Sequence, residues 1–351
     1  MILFLGAGVS KLFDVPDMMG FASIFNEDPR ISESEIFKKI KETFGNGVDL
    51  EILMTVLEDL RKDKERLLMS MSPQTAAFML KNTANSDYYL ENEEVKNQSM
   101  ELIKDVKDVI RRECFRPEVK CVDRILDVYD RFFNVASTYQ SNVVRSGDGK
   151  ITLPMDIRIF TTNYDRCIET YLGRRQVDFT QGLVQRFGYV IFDISTYDER
   201  SGKVGLFKLH GTIDLFNIDG IVRQRKFMEN LGEEVVYYPI EFSGYNHVIE
   251  SPYLELFYLF RNRLRGDNTW IIIGSSLRDR TICSIMNDVI RLESIDQRPR
   301  VVLVTPDINI PNRLKSWGFL HLGERIRQVA EKFGSDETNR KIIDILTTPQ
   351  K

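Results

Sequence analysis

Met1-Ile2-Leu3-Phe4-Leu5-Gly6-Ala7-Gly8-Val9-Ser10 opens the chain, and its reading decides the fold. The run from Met1 to Leu5 is apolar without alternation, so both of its faces must be buried, as in an inner strand of a parallel sheet. Small residues follow at once; they permit a tight structural turn, or let backbone amides approach a diphosphate closely. The apolar run is too short for a secretory leader, lacks a basic start and enters the glycine turn directly.

Working outward, strands of the same kind are expected at Ile157–Thr161, Gly205–Leu209, Trp270–Ile273 and Val301–Val304. Helical spacing separates them: Tyr253, Leu256, Phe257, Phe260 and Leu264 share one face, as do Ile282, Ile285, Met286, Val289 and Ile290. Strands alternating with helices predict an α/β fold, a Rossmann-like, doubly wound, mostly parallel sheet. Between Ser32 and Phe133 the pattern turns wholly helical, with faces such as Leu53, Val56, Leu57, Leu60, then Ile103, Val106, Ile110, then Val122, Ile125, Leu126, Tyr129. The expected organisation is therefore a sheet domain over 1–31 and 134–310, a helical insertion over 32–133 and a C-terminal helical tail over 311–351. Ser141–Pro154, with Gly147 and Gly149, reads as an exposed loop leading back to the sheet.

Composition excludes several classes. With 351 residues, 42% of them hydrophobic, the chain can bury a large core. A net charge of -4 supplies no overall field for nucleic acid or anionic lipid, although Arg223, Arg225 and Lys226 form a local basic cluster that a solvated loop also explains. No stretch approaches the roughly 20 apolar residues that span a bilayer, so a cytoplasmic protein is expected. Cys114, Cys121, Cys167 and Cys283 form no Cys-x-x-Cys pair and read as buried free thiols.

Four strand ends carry candidate chemistry. Gly6, Ala7, Gly8, Val9 and Ser10 offer backbone to a phosphate, or simply a structural turn, because the third glycine of the usual dinucleotide fingerprint is missing. Thr161-Thr162-Asn163-Tyr164-Asp165 places Asn163 and Asp165 where open parallel sheets bind ligands; each also fits a helix cap. Leu209-His210-Gly211 puts one of only three histidines at a strand end, a position for a general base, whereas His247 and His321 have no comparable setting. Gly274-Ser275-Ser276-Leu277-Arg278-Asp279 brings backbone near a ribose or phosphate, or makes an ordinary strand-to-helix turn.

Taken in this order, these segments resemble the sirtuin superfamily, and more closely its zinc-free prokaryotic branch of sirtuin-like NAD hydrolases in antiphage defence. The resemblance covers Met1–Asp17 and about Ile157–Asp307. It implies that Gly6 to Ser10 wrap the NAD diphosphate, with Pro16 and Asp17 in the cofactor loop. By the same resemblance Thr162 is a cofactor-binding residue, Asn163 lies beside the nicotinamide ribose, Asp165 near the carboxamide, and His210 on the ribose hydroxyls. Gly274, Ser275, Ser276, Leu277 and Asp279 would contact the adenosine ribose. The sequence departs from the family in two places: no Cys-x-x-Cys zinc ribbon follows His210, which disfavours a protein-lysine deacylase, and Asp14 stands where a glycine is usual.

The implied activity is hydrolysis of NAD to nicotinamide and ADP-ribose, with Asn163, His210 and Asp165 catalytic, NAD as substrate and no zinc. An ADP-ribosyltransferase or deacylase acting on a protein or nucleotide acceptor is one alternative; a non-catalytic NAD- or ADP-ribose-binding subunit is another. The resemblance further implies a homo-oligomer and a separate hexameric ATPase partner of the HerA type, with direct nucleic-acid contact left open.

Overall fold

A computed structural model of the chain describes residues 1–45, 48–82, 92–139, 143–145, 152–154, 157–186, 189–197, 203–218, 221–224, 233–236, 252–294 and 297–348. The chain divides into two compact units.

The first unit comprises Met1–Val15, Phe115–Tyr237 and Glu250–Lys351. Its centre is a seven-stranded sheet: β1 (Ile2–Leu5), β2 (Arg158–Thr161), β3 (Phe179–Thr180), β4 (Val204–Lys208), β5 (Thr269–Ile273), β6 (Arg300–Val304) and β7 (Ile326–Val329). In space the order is β7-β6-β5-β1-β2-β4-β3, and every pairing between neighbours is parallel. The opening strand is thus the middle one, with later strands added first on one side and then on the other. That reversal beside β1 makes a switch point, and ligands of open α/β sheets bind outside the carboxyl ends of the strands there.

Register explains the packing. Phe4 pairs with Phe160 and Phe160 with Phe207, so three rings stand in a row on one face. Phe260, from the helix Tyr253–Gly266, meets Phe4 and Phe160 at centroid distances of 6.0 and 4.9 Å. Elsewhere Tyr129 and Phe133, on the helix Val122–Tyr139, pack against Tyr171 of the helix Cys167–Arg174. All four cysteines are buried free thiols.

Some elements differ from the expectation. The C-terminal segment, read as helical, also supplies β7, because Arg327 and Gln328 break its apolar run and hide a strand flanked by Ile326 and Val329. Val143–Arg145 pairs with Thr152–Pro154 where an exposed loop was expected. Gly211–Ile218 forms an antiparallel sheet with Ile221–Gln224 and Glu233–Val236. Arg225, Lys226, His247, Gly147 and Gly149 lie outside the described residues.

The second unit contains Pro16–Cys114 and is helical over its described residues. Its helices begin at side-chain caps: Asp17 accepts from Gly20 N, Asp49 from Ile52 N and Ser72 from Thr75 N. Buried Asp59 ties it together, accepting from Ser72 N at 2.9 Å, Thr75 Oγ1 at 2.8 Å and Lys62 Nζ at 2.6 Å. No helix among the described residues is long and apolar enough to cross a membrane.

Candidate functional site

The loops that leave β1, β2, β4 and β5 gather at the carboxyl edge of the sheet. The β1 and β5 loops pack backbone against backbone. Gly6 N donates to Ile273 O at 2.9 Å and Gly8 N to Gly274 O at 2.8 Å. A Cβ on Gly8 would stand 2.8 Å from Gly274 O, and one on Gly274, at φ +65°, would stand 2.4 Å from Val9 N. Glycine is therefore required in both loops by their mutual approach, and the N–H groups of Gly6 and Gly8 are donated within the protein.

Downstream of this turn Asp14 sits at φ 63°, ψ 20°, the left-handed conformation a glycine would adopt freely. Arg124 holds it there, donating from one Nη1 to Asp14 Oδ1 and Leu12 O, both at 2.9 Å. The same guanidinium keeps the Asp14 carboxyl below the usual carboxylate range. Asp14 thus supplies the backbone conformation of the expected glycine. Pro16 and Asp17 belong to the helical unit, where Asp17 caps Met18–Glu27.

Asn163 turns back onto the glycine turn. Its Nδ2 donates to Gly6 O at 3.0 Å and to Ser10 Oγ at 2.8 Å, while its backbone N donates to Thr161 Oγ1 at 3.0 Å. Thr161 Oγ1 in turn donates to Leu5 O, and Thr162 N does likewise at 3.3 Å. Both amide hydrogens being engaged, Asn163 Oδ1 is left as a buried acceptor with no hydrogen-bond partner. Such an atom is costly unless a ligand or water satisfies it.

Asp165 is 5% exposed and accepts from Cys167 N at 2.9 Å, the start of Cys167–Arg174. Lys208, not singled out from the sequence, lies beneath this loop. Its ammonium donates to the carbonyl of Asp165 and pairs with Glu169 Oε1 at 2.8 Å, and Gln181 Nε2 donates to the same Glu169 oxygen at 3.0 Å. Both charged side chains are nearly inaccessible, at 6% and 3% exposure. The available signal was a lone lysine inside the apolar strand Val-Gly-Leu-Phe-Lys, a residue that is rarely buried without a partner.

His210 follows Lys208 by two residues, and Gly211 after it takes φ +77°, turning the chain immediately. The ring is buried, with Nε2 2.9 Å from Asp279 Oδ2. Asp279 also caps the helix Arg280–Leu292, accepting from Ile282 N at 3.0 Å. In the loop before it Ser275 Oγ accepts from Leu277 N, Ser276 is exposed, and buried Leu277 adopts φ 49°.

The register Thr161↔Lys208 aligns β2 with β4, so Asn163 and His210, each two residues further on, leave adjacent strands at the same level. Adjacent strands run about 4.8 Å apart. Thr212 Oγ1 and Ile213 N both reach Tyr164 O, holding the two loops together. The arrangement thus offers an unsatisfied buried acceptor at Asn163 and a buried imidazole at the same level on the adjacent strand end. Burial, reinforced by Asp165, pushes the Cys167 thiol well above the ordinary thiol range, and burial does the same to Cys283. Among the described residues no group of three or more His, Cys, Asp or Glu is arranged to hold a metal ion.

A family model described as SIR2-like domain matches residues 157–322. The matched stretch contains Asn163, Asp165, His210 and Gly274 to Asp279, and it stops short of the glycine turn after β1. No curated protein matches the chain. The match supports a sirtuin-like reading of that segment and NAD-related chemistry.

Proposed function

We propose, with the SIR2-like segment as premise, that the chain is an NAD hydrolase that releases nicotinamide and ADP-ribose. The observation that carries this reading is the pairing of Asn163 Oδ1, a buried acceptor in need of a partner, with His210 at the same level on the next strand.

The chemistry asks little of an acid catalyst. When the bond between nicotinamide and ribose breaks, its electron pair neutralises the pyridinium nitrogen, so the leaving group departs uncharged while positive charge builds on the sugar. What the protein must supply is orientation, polar groups around the sugar cation, and a base for the incoming water. Asn163 Oδ1 would accept from a ribose hydroxyl or that water, and His210 would take the proton that water loses on attacking the anomeric carbon. Asp165 would act by holding the loop that presents Asn163. The turn Gly6–Ser10 and the loop Gly274–Leu277 would line the rest of the dinucleotide. NAD depletion in prokaryotic antiviral defence, in the cytoplasm, as an oligomer with a separate ATPase partner, is the setting we infer from the resemblance.

Chromatography of NAD incubations, with the chain alone and with its genomic neighbour's product, tests the activity. Nicotinamide and ADP-ribose should appear in equal amounts without any acceptor. Turnover only when a protein or nucleotide acceptor is added would favour the transferase or deacylase instead, and binding without turnover the ligand-sensing subunit.

A further inference from the structure

We propose that Asp279 is a positioning residue that fixes His210 in the tautomer bearing hydrogen on Nε2, leaving Nδ1 as the ring's basic nitrogen. The inference deepens the NAD hydrolase reading and rests on it for its catalytic consequence.

An ionised carboxylate only accepts hydrogen bonds. With Asp279 Oδ2 2.9 Å from His210 Nε2, that nitrogen must carry the hydrogen, and in the neutral ring the lone pair then resides on Nδ1. Both side chains are largely withdrawn from solvent, at 5% and 13% exposure, so water competes weakly for either partner. The carboxylate is itself immobilised, because its second oxygen accepts from Ile282 N at 3.0 Å and caps a helix of 13 residues.

The loop geometry shows how far this contact reaches. His210 follows β4 and Asp279 follows β5, and between those strands lie β1 and β2. His210 and Asp279, with the loops that carry them, therefore together bridge about three strand spacings, roughly 14 Å, between the ends of β4 and β5. Leu277, buried and left-handed at φ 49°, is unusual for a bulky residue, and such strain persists only where the surroundings impose it. Gly274 at φ +65° supplies the other bend. A helix cap alone would not require this bridge, since Asp279 could cap its helix from any approach.

The test is nitrogen NMR of ring-labelled histidine in the full chain, with His210→Ala identifying the signal among three histidines. Asp279→Asn keeps a good cap but presents an amide N–H to Nε2, which inverts the tautomer. Wild type should show the pyrrole-type nitrogen at Nε2, and the variant should show it at Nδ1, with kcat lowered on the order of 10²- to 10⁴-fold and KM altered far less. Asp279→Ser, which caps without pairing to the ring, should give a mixture of tautomers. An unchanged tautomer in both variants overturns the proposal whatever happens to turnover. An inverted tautomer with full turnover overturns the catalytic role. An inverted tautomer in a chain whose wild type never cleaves NAD upholds the pairing and removes the hydrolase reading instead.

Discussion

Asn163 uses its two amide hydrogens on Gly6 O and Ser10 Oγ, where a helix-cap asparagine would turn its oxygen toward the next turn of backbone. Its position after a strand was legible in the sequence; which way its amide points was not, because that depends on a turn 157 residues earlier. Asp14 makes the complementary case. It stands where a glycine is usual and keeps the glycine's left-handed backbone, with Arg124 as support. Asp14→Gly should therefore leave stability nearly unchanged, whereas Asp14→Val should cost about 1 to 2 kcal/mol in urea unfolding; equal tolerance of valine would contradict a requirement for that conformation. The folded Asp14 carboxyl lies below its ordinary pKa, so its ion pair stabilises above the unfolded value and is lost as pH falls through the folded one. Since both side chains are more than half exposed, screening keeps that contribution small.

Among the elements, β1, β2, β4, β5 and β6 were readable because each is buried on both faces and so nearly uniformly apolar. β3 was not, being only two residues long, and β7 was not, since an edge strand exposes Arg327 and half-exposes Gln328. The exception inside a buried strand is Lys208. Its ammonium holds the Asp165 carbonyl and the Glu169 carboxylate away from solvent, so the Asn163 loop rests on a buried ion pair. Lys208→Met should destabilise by about 3 to 5 kcal/mol in equilibrium urea unfolding, because a carboxylate is left buried without its cation. Lys208→Met with Glu169→Leu should recover much of that loss. A neutral single variant would show that the pair does not support the loop.

At the scale of the whole molecule, the four motifs are legible in the sequence as strand ends, where open parallel sheets bind ligands, whereas the switch point beside β1 depends on the strand order. The contact between His210 and Asp279 did not announce itself, because it joins residues 69 apart across two intervening strands. Helical periodicity marks a block from Ser32 to Phe133, whereas the second compact unit takes in Pro16–Cys114 and the helix Val122–Tyr139 belongs with the sheet. That helix carries Tyr129 and Phe133 into the aromatic cluster with Tyr171, a long-range pairing that periodicity does not express.

The claim on which the functional account depends is that Asn163 and His210 act together on the nicotinamide ribose. The most direct measurement is nicotinamide release from NAD by the wild-type chain, Asn163→Ala and His210→Ala, each assayed alone and with its genomic neighbour's product and checked for cooperative unfolding. Both variants should remain folded and lose at least 10²-fold in turnover. Wild-type rates in either folded variant would contradict the account.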